Sequence, residues 1–279
     1  MILDTHLHLI DKSVLSYPWL SAAPALDRDF SYAEYARQAH RTGIGATLHM
    51  EVDVGVADME AETAYVGDLA RQPGSLLRGA IAACRPEDAG FAAYLDRQRR
   101  NPFVLGFRRV LHSMADDLSD GAIFRDNIRR LAGTGLTYDL IFQAHNLPRA
   151  AALADAAPGV QFVLDHCGSP DIKGGDGQPW WENIRQLSRR PNVVAKVSGI
   201  IAYTDPEGWT VESLRPFVEH TIACFGWDRV VWGSDWPVCN LGGGLAAWVA
   251  ATHSLIAGTS RQEREALLSG NARRLWNLS

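Results

Sequence analysis

Eight short strand-like segments alternate with helical segments from one end of the 279-residue chain to the other. The strand-like segments are residues 1–9, 45–51, 76–84, 103–110, 137–142, 160–166, 192–198 and 229–235. Because the alternation has no break in composition, it predicts a single α/β domain over residues 1–279. Eight strands favour a (β/α)8 TIM barrel over an open doubly wound sheet. The chain also lacks a Gly-x-Gly-x-x-Gly turn and a P-loop, the usual marks of nucleotide binding.

Two histidines and one aspartate stand at the ends of the first and last strands. His6 and His8 are two residues apart, so on a strand their side chains point to the same face. Asp235 ends the eighth strand, which neighbours the first strand in a closed barrel. Two imidazoles and a carboxylate are a plausible three-ligand site for one divalent ion, with Zn2+ the expected ion and water as a further ligand. We expect Asp235 to act as the general base as well.

The sixth strand contributes a further histidine. Alternation places Phe162, Leu164 and His166 on one face, which we take as the face toward the barrel axis. This predicts His166 as a fourth metal ligand or as the group that polarises a substrate carbonyl. Asp165 then points the other way and has a structural role.

Several other polar and aromatic residues lie at strand ends or in the loops that follow. Of Arg108 and Arg109, one is expected to hold a polar substrate and the other to be solvated. Asp4 and Lys196 are expected to pair inside the barrel. The long segment 10–29 is either a flap over the site or an inert cover of the rim. Trp19 and Trp236 are further candidate substrate contacts. Four more residues are either substrate contacts or rim residues without a role in binding: Glu51, His112, His145 and Ser198.

The overall composition excludes several classes of partner. The net charge is -5 with no long run of Lys or Arg, which does not favour nucleic acid or an anionic membrane surface. No apolar stretch approaches the length of a membrane span, and Asp4, His6 and His8 interrupt any signal-peptide core. The four cysteines form no Cys-x-x-Cys pair, as expected of reduced thiols. We therefore expect a cytoplasmic protein, with a homo-oligomer left open.

Five motifs in this order resemble the amidohydrolase superfamily, and more narrowly its lactonase branch, which includes sugar-lactone and pyrone-dicarboxylate lactonases. They are Asp-Thr-His-Leu-His at 4–8, Val-Leu-Asp-His-Cys-Gly at 163–168, Lys-Val-Ser-Gly at 196–199, Gly-Ser-Asp-Trp-Pro at 233–237 and Gly-Asn-Ala-Arg-Arg-Leu at 270–275. The resemblance implies a distorted TIM barrel and water attack on a lactone carbonyl, with Asp235 as the base. Strand four carries Phe107, Arg108 and Arg109 where two-metal relatives have a bridging Lys or Glu. This implies either one divalent ion or a metal-free mechanism.

These observations predict a lactonase that opens a small lactone, with a sugar-acid lactone as the expected substrate. The alternative within the same superfamily is a metal-dependent decarboxylase. A barrel that serves only as a binding partner is the third hypothesis.

Overall fold

Eight parallel strands form one sheet in the computed structural model, which describes residues 1–175, 179–206 and 208–278. Each strand pairs with the next in chain order from β1 to β8, so the predicted (β/α)8 barrel is confirmed. The strands are β1 (Ile2–Leu7), β2 (Ile44–Met50), β3 (Leu77–Ala83), β4 (Val104–Val110), β5 (Thr137–Ile141), β6 (Gln161–Leu164), β7 (Val193–Ser198) and β8 (Val230–Gly233).

Helices connect the strands and surround the sheet. They are α1 (Tyr32–Arg41), α2 (Met59–Ala70), α3 (Phe91–Gln98), α4 (Ala122–Arg129), α5 (Leu147–Ala156), α6 (Trp180–Leu187), α7 (Val211–Phe225), α8 (Leu245–Leu255), α9 (Arg261–Glu265) and α10 (Asn271–Leu275). Caps fix several of their starts. Ser31 accepts a hydrogen bond from the Glu34 amide at the start of α1, and Ser260 and Glu263 form a reciprocal capping box at α9. None of the described helices is both long and apolar enough to span a bilayer.

The barrel closes where β1 meets the residues just after β8. Leu7 and Trp236 form a parallel bridge, the His8 amide donates to the Trp236 carbonyl at 2.8 Å, and the Asp235 amide donates to the His6 carbonyl at 2.8 Å. Closure therefore brings the two ends of the predicted metal site together through the backbone itself.

The interior of the barrel has an apolar end and a polar end. Buried apolar side chains from six of the strands meet inside. Trp276 of the C-terminal region covers this end and donates its indole N–H to the Thr137 hydroxyl at 3.1 Å. Toward the carboxyl ends of the strands the interior is polar and ionised. The apolar residues are Leu3, Ala46, Leu48, Met50, Ile81, Val163, Val194 and Val231.

The predicted orientation of β6 is wrong. Val163 packs inside the barrel, whereas Phe162 lies outside it, 6.0 Å from the Tyr138 ring, which in turn faces Phe124 of α4. The strand ends at Leu164, two residues earlier than expected. Asp165 is therefore the inward residue, and His166 reaches the mouth because its backbone turns there, with φ of 51°.

The segment between β1 and α1 is fastened across the mouth of the barrel. Ile10 and Phe30 exchange two backbone hydrogen bonds at its base. Between them lie two short 3-10 turns, Pro18–Ala22 and Pro24–Leu26. The indole N–H of Trp19 donates to the Val52 carbonyl at 2.7 Å, which ties this segment to the loop after β2.

Candidate active site

His6, His8 and Asp235 converge at the junction of β1 and β8. The two Nε2 atoms are 3.1 Å apart, and the Asp235 Oδ1 atom lies 3.6 Å from His6 Nε2 and 3.3 Å from His8 Nε2. All three side chains are almost fully buried. Together they form one of two described groups that could hold a metal ion; the other is His6, Asp165 and His166.

The hydrogen-bond partners of the Nδ1 atoms of His6 and His8 bear on which ring nitrogen carries the proton and which has a free lone pair. His8 Nδ1 lies 2.9 Å from the Met50 carbonyl, which can only accept, so the proton is on Nδ1 and the Nε2 lone pair faces His6. His6 Nδ1 has an acceptor, Asp165 Oδ1 at 3.4 Å, and a donor, Lys196 Nζ at 3.3 Å. Burial lowers the pKa of His6 well below its usual value, so the ring is neutral, the form that binds metals.

Beneath the imidazoles lies a buried network of charges. Lys196 donates to Asp139 at 2.6 Å and to Asp165 at 2.8 Å, and all three are inaccessible to solvent. Although burial raises the pKa of Asp165, Lys196 and His6 hold it well below its usual value. The expected pairing of Lys196 with Asp4 is therefore wrong. Asp4 instead accepts from the Tyr35 hydroxyl and the Ser234 amide, because its side chain faces away from the barrel axis.

His166 stands beside Asp235 rather than at the centre of the first group. Its Nδ1 is 3.0 Å from the Ser198 hydroxyl and 3.9 Å from Asp235 Oδ2, and its ring centre is 4.5 Å from that of His6. Burial lowers the pKa of His166, so this imidazole too is neutral at neutral pH. His166 thus lies beside both Asp235 and His6 and belongs to the second possible metal group, so its two predicted roles, ligand and carbonyl-polarising group, stay predictions.

Gly199 makes room for the carboxylate. It has φ of 62°, and a Cβ added there would lie 2.3 Å from Asp235 Oδ2. Only a residue without a side chain allows this close approach. The close approach of the Asp235 carboxylate thus explains why the last position of the Lys-Val-Ser-Gly motif is a glycine.

A cavity of about 390 Å³ opens in front of these groups. Of the sequence-predicted residues, seven lie within it or at its wall or floor. Those that line it are His8, Trp19, Arg108, His112, His166 and Asp235, and His6 lies directly beneath.

Three predicted substrate contacts lie elsewhere. Arg109 is buried and donates to Glu87 at 2.8 Å, so neither arginine is solvated as expected. Trp236 is fully buried, with its ring 5.5 Å from those of Phe30 and Tyr35, because it leaves the backbone on the side opposite to Asp235. His145 is exposed and lines a neighbouring cavity of about 560 Å³.

The arginine that does reach the cavity is held by acidic partners. Arg108 Nε donates to Glu51 Oε1 at 2.6 Å and its Nη2 donates to the Glu51 carbonyl at 2.8 Å. Its Nη1 lies 3.3 Å from both Asp165 Oδ2 and His6 Nε2. Glu51, a weak candidate for a substrate contact, is thus fully buried and fixes the guanidinium.

Two cavity residues were missed at the sequence level. Tyr203 closes the short turn Ile200–Tyr203 after β7, and its ring stands edge-on to His166 at 6.0 Å. Asp53 follows β2 with φ of 48° and binds Arg85 at 3.1 Å. Both lie in loops at the carboxyl ends of strands. Residues of a barrel's active site are typically found in these loops, so their position is the signal that indicates them.

A family model, known sequences and a solved structure are similar to this chain over most or all of its length. The amidohydrolase family model matches residues 3–278. The L-fucono-1,5-lactonase of Burkholderia multivorans is 28% identical over 99% of this chain and 96% of its own, and that of Burkholderia ambifaria is 27% identical over 89% and 85%. A crystal structure of an amidohydrolase from Burkholderia multivorans with bound zinc superposes with a TM-score of 0.89, at 25% identity over 100% of both chains.

Proposed function

Because the chain belongs to the amidohydrolase family, we propose that it is a hydrolase that opens a small lactone by attack of water on the ring carbonyl. One observation carries the proposal. A buried carboxylate, Asp235, lies 3.3 to 3.9 Å from imidazole nitrogens of His6, His8 and His166 on the floor of a cavity large enough for a small ring. The similarity to two proteins named L-fucono-1,5-lactonase supports the choice of reaction.

Asp235 is the proposed general base. A water molecule beside its carboxylate gives up a proton to it while the water oxygen forms a bond to the carbonyl carbon. The ring C–O bond then breaks, and the same proton passes from Asp235 to the leaving alkoxide. The product is an open-chain hydroxy acid, and the carboxylate is restored for the next cycle.

His166 is the proposed donor to the carbonyl oxygen. The Ser198 hydroxyl accepts from the His166 amide and can donate to Nδ1 at 3.0 Å, which leaves the ring proton on Nε2. A fixed N–H in a site closed to solvent stabilises the oxyanion that forms on attack. Ser198 and Tyr203 therefore fix the orientation of the His166 ring, and its Nε2–H is the proposed hydrogen-bond donor to the carbonyl oxygen.

The site is also proposed to bind one divalent ion, Zn2+, through His6, His8 and Asp235. In a tetrahedral site with bonds of about 2.0 to 2.1 Å, neighbouring ligand atoms lie about 3.3 Å apart. The three separations here are 3.1, 3.3 and 3.6 Å, so the donor set fits such an ion without rearrangement. Arg108 Nη1 has Asp165 as an alternative partner, which frees the His6 lone pair. When bound, the ion supplies a Lewis acid for the carbonyl and lowers the pKa of water.

The proposed substrates are sugar-acid lactones, on the strength of the two lactonase relatives. The test is acid release from a panel of aldonolactones in a pH-stat, with wild type, Asp235→Asn and the exposed control Asp68→Asn. Loss of a general base costs about 10²- to 10⁴-fold in rate, so we expect Asp235→Asn to fall by that factor and Asp68→Asn to match wild type. Intact turnover in Asp235→Asn would overturn the mechanism.

The decarboxylase alternative is tested in the same preparation. Carbon dioxide release from carboxylated aromatic acids, together with inert lactones, would replace the lactonase proposal.

A further inference from the structure

We infer that the lactone carries an uncharged, apolar substituent, which lies under Trp19 while the ring carbonyl faces Asp235. The inference rests on the proposed lactonase function and narrows its substrate class. It follows from the distribution of apolar, polar and charged groups around the cavity.

The wall of the cavity is largely apolar. Ten of the eighteen residues that line it have apolar side chains, so a ligand that fills it meets hydrocarbon over much of its surface. Four of these residues, Trp19, Ala22, Ala23 and Leu26, come from the segment fastened across the mouth. Strand ends and later loops add Val110, Ile141, Pro237 and Val238.

Most of the polar groups in the wall are already engaged by the protein. His8 is bound to the Met50 carbonyl, Arg108 to Glu51, His166 to Ser198 and Asp53 to Arg85. Apart from the groups proposed to bind the ion and the carbonyl, the described lining residues then offer substrate hydroxyls His112, Ser113 and the Asp53 carboxylate, which accepts from Arg85 through Oδ1. A hydroxylated substituent that lies against the apolar side chains instead would lose its hydration without gaining a partner, and such burial is unfavourable.

The charges at the wall also oppose an anionic substituent. Arg108 is the one Lys or Arg among the described lining residues, and its three nitrogens contact Glu51, Asp165 and His6. Two carboxylates, Asp53 and Asp235, line the same cavity. A second carboxylate or a sulfonate placed away from the proposed ion would therefore approach Asp53 and find no unpaired Lys or Arg in the described wall.

The size of the cavity agrees with a substituted ring. At about 390 Å³ it lies in the range of about 300 to 1,000 Å³ typical of sites for larger ligands, and an unsubstituted lactone ring would leave apolar wall uncovered. Covering that wall favours binding by about fourfold per buried methylene. Selectivity should thus grow with the substituent until the space is filled.

The experiment measures kcat/KM of the wild-type protein on two sets of lactones. In the first set, δ-lactones carry hydrogen, methyl, propyl or pentyl on the carbon next to the ring oxygen. We expect a rise of about fourfold per added methylene over the early members of the set. In the second set, one sugar-lactone ring carries a methyl, a hydroxymethyl or a carboxylate at the same position. We expect the hydroxymethyl to lose about tenfold to a hundredfold against methyl, and the carboxylate to lose more.

A matched pair of variants locates the substituent. Ala22 is exposed to solvent yet borders the cavity, and Ala25 is exposed in the next turn and does not border it. Ala22→Trp should abolish the gain from propyl and pentyl, so that these lactones are turned over no better than the unsubstituted ring in the same variant, and Ala25→Trp should show the wild-type gain.

The outcomes separate the two proposals. Equal or higher kcat/KM for the hydroxymethyl or carboxylate ring would overturn the inference and leave the lactonase function standing. An unchanged alkyl series in Ala22→Trp would do the same. Turnover of no lactone in either set would overturn the lactonase function itself.

Discussion

Replacement of Gly199 by alanine tests whether the position of Asp235 controls turnover. A methyl group there would lie 2.3 Å from Asp235 Oδ2, whereas ordinary van der Waals contact begins at 3.4 Å. The carboxylate must therefore move by about 1 Å, and a misplacement of about 1 Å at a reacting group costs about 100-fold in rate. We expect kcat of Gly199→Ala to fall by about that factor.

The same substitution also strains the backbone, and this effect must be separated from the first. Gly199 has φ of 62°, where an L-residue costs about 1 to 2 kcal/mol. For a chain of this size that corresponds to a decrease in Tm of about 2 to 8 °C. Gly74 has φ of 76° with nothing within 4 Å of an added Cβ, so Gly74→Ala carries the strain without the clash.

The assay is lactone hydrolysis at saturating substrate, with Tm measured on the same samples by calorimetry. Gly74→Ala should lose a few degrees in Tm and keep the wild-type kcat, whereas Gly199→Ala should lose both. Wild-type kcat in a folded Gly199→Ala would refute the assignment of Asp235 as the base, because the clash leaves that carboxylate no room at its present position.

Three further results are expected. Lys196→Met should destabilise the protein by about 3 to 5 kcal/mol in urea unfolding, because it removes the cation that pairs with the buried Asp139 and one of the partners of Asp165. Lys12→Met, which breaks an exposed pair with Asp27, should cost less than about 1 kcal/mol, and equal losses in the two variants would contradict this reasoning. Burial lowers the pKa of His49 well below its usual value. Below about pH 6.5 His49 is therefore protonated in the unfolded chain but stays neutral in the folded chain, and the free energy of unfolding decreases as the pH falls. His49→Gln should therefore reduce the slope of unfolding free energy between pH 6 and 5 by up to about 1.4 kcal/mol per pH unit, and the exposed control His253→Gln should leave it unchanged. After chelator treatment, added Zn2+ should raise the Tm of the wild type and of the exposed control His145→Asn. The Tm of His8→Asn should not respond to Zn2+, and a full response in this variant would rule out His8 as a ligand.

The barrel was predictable because its signals are local. The strands are short, largely apolar runs, several with polar residues at or just past their ends, and several helices begin at a cap or carry an apolar stripe. The convergence of His6, His8 and Asp235 then follows from closure of the barrel, which makes the first and last strands neighbours. No long-range information beyond the strand count is needed for that step.

The wrong predictions concern the point at which a strand ends and the partners that residues distant in sequence bind. Strand alternation holds only while the backbone stays extended, and at β6 it stops before Asp165. The left-handed backbone of His166 and Asp235 then redirects their side chains, which a period of two cannot anticipate. The pairing of Arg109 with Glu87 could not be read from the sequence, because many acidic residues could have served as the partner.

The charge balance of the polar end links the proposed ion to the rest of the barrel. Apart from the histidines, six ionisable groups of this cluster are buried: the acids Glu51, Asp139, Asp165 and Asp235, and the bases Arg108 and Lys196. Among these six groups four carboxylates face two cations, an excess of negative charge that a buried site tolerates poorly. Two processes reduce this excess. Burial raises the pKa of Asp139 to about 7, so that carboxyl is partly protonated at neutral pH, and a divalent ion at His6, His8 and Asp235 would supply two positive charges. Because both act on one buried cluster, binding of the ion should favour loss of the Asp139 proton, which makes the affinity for the ion rise with pH.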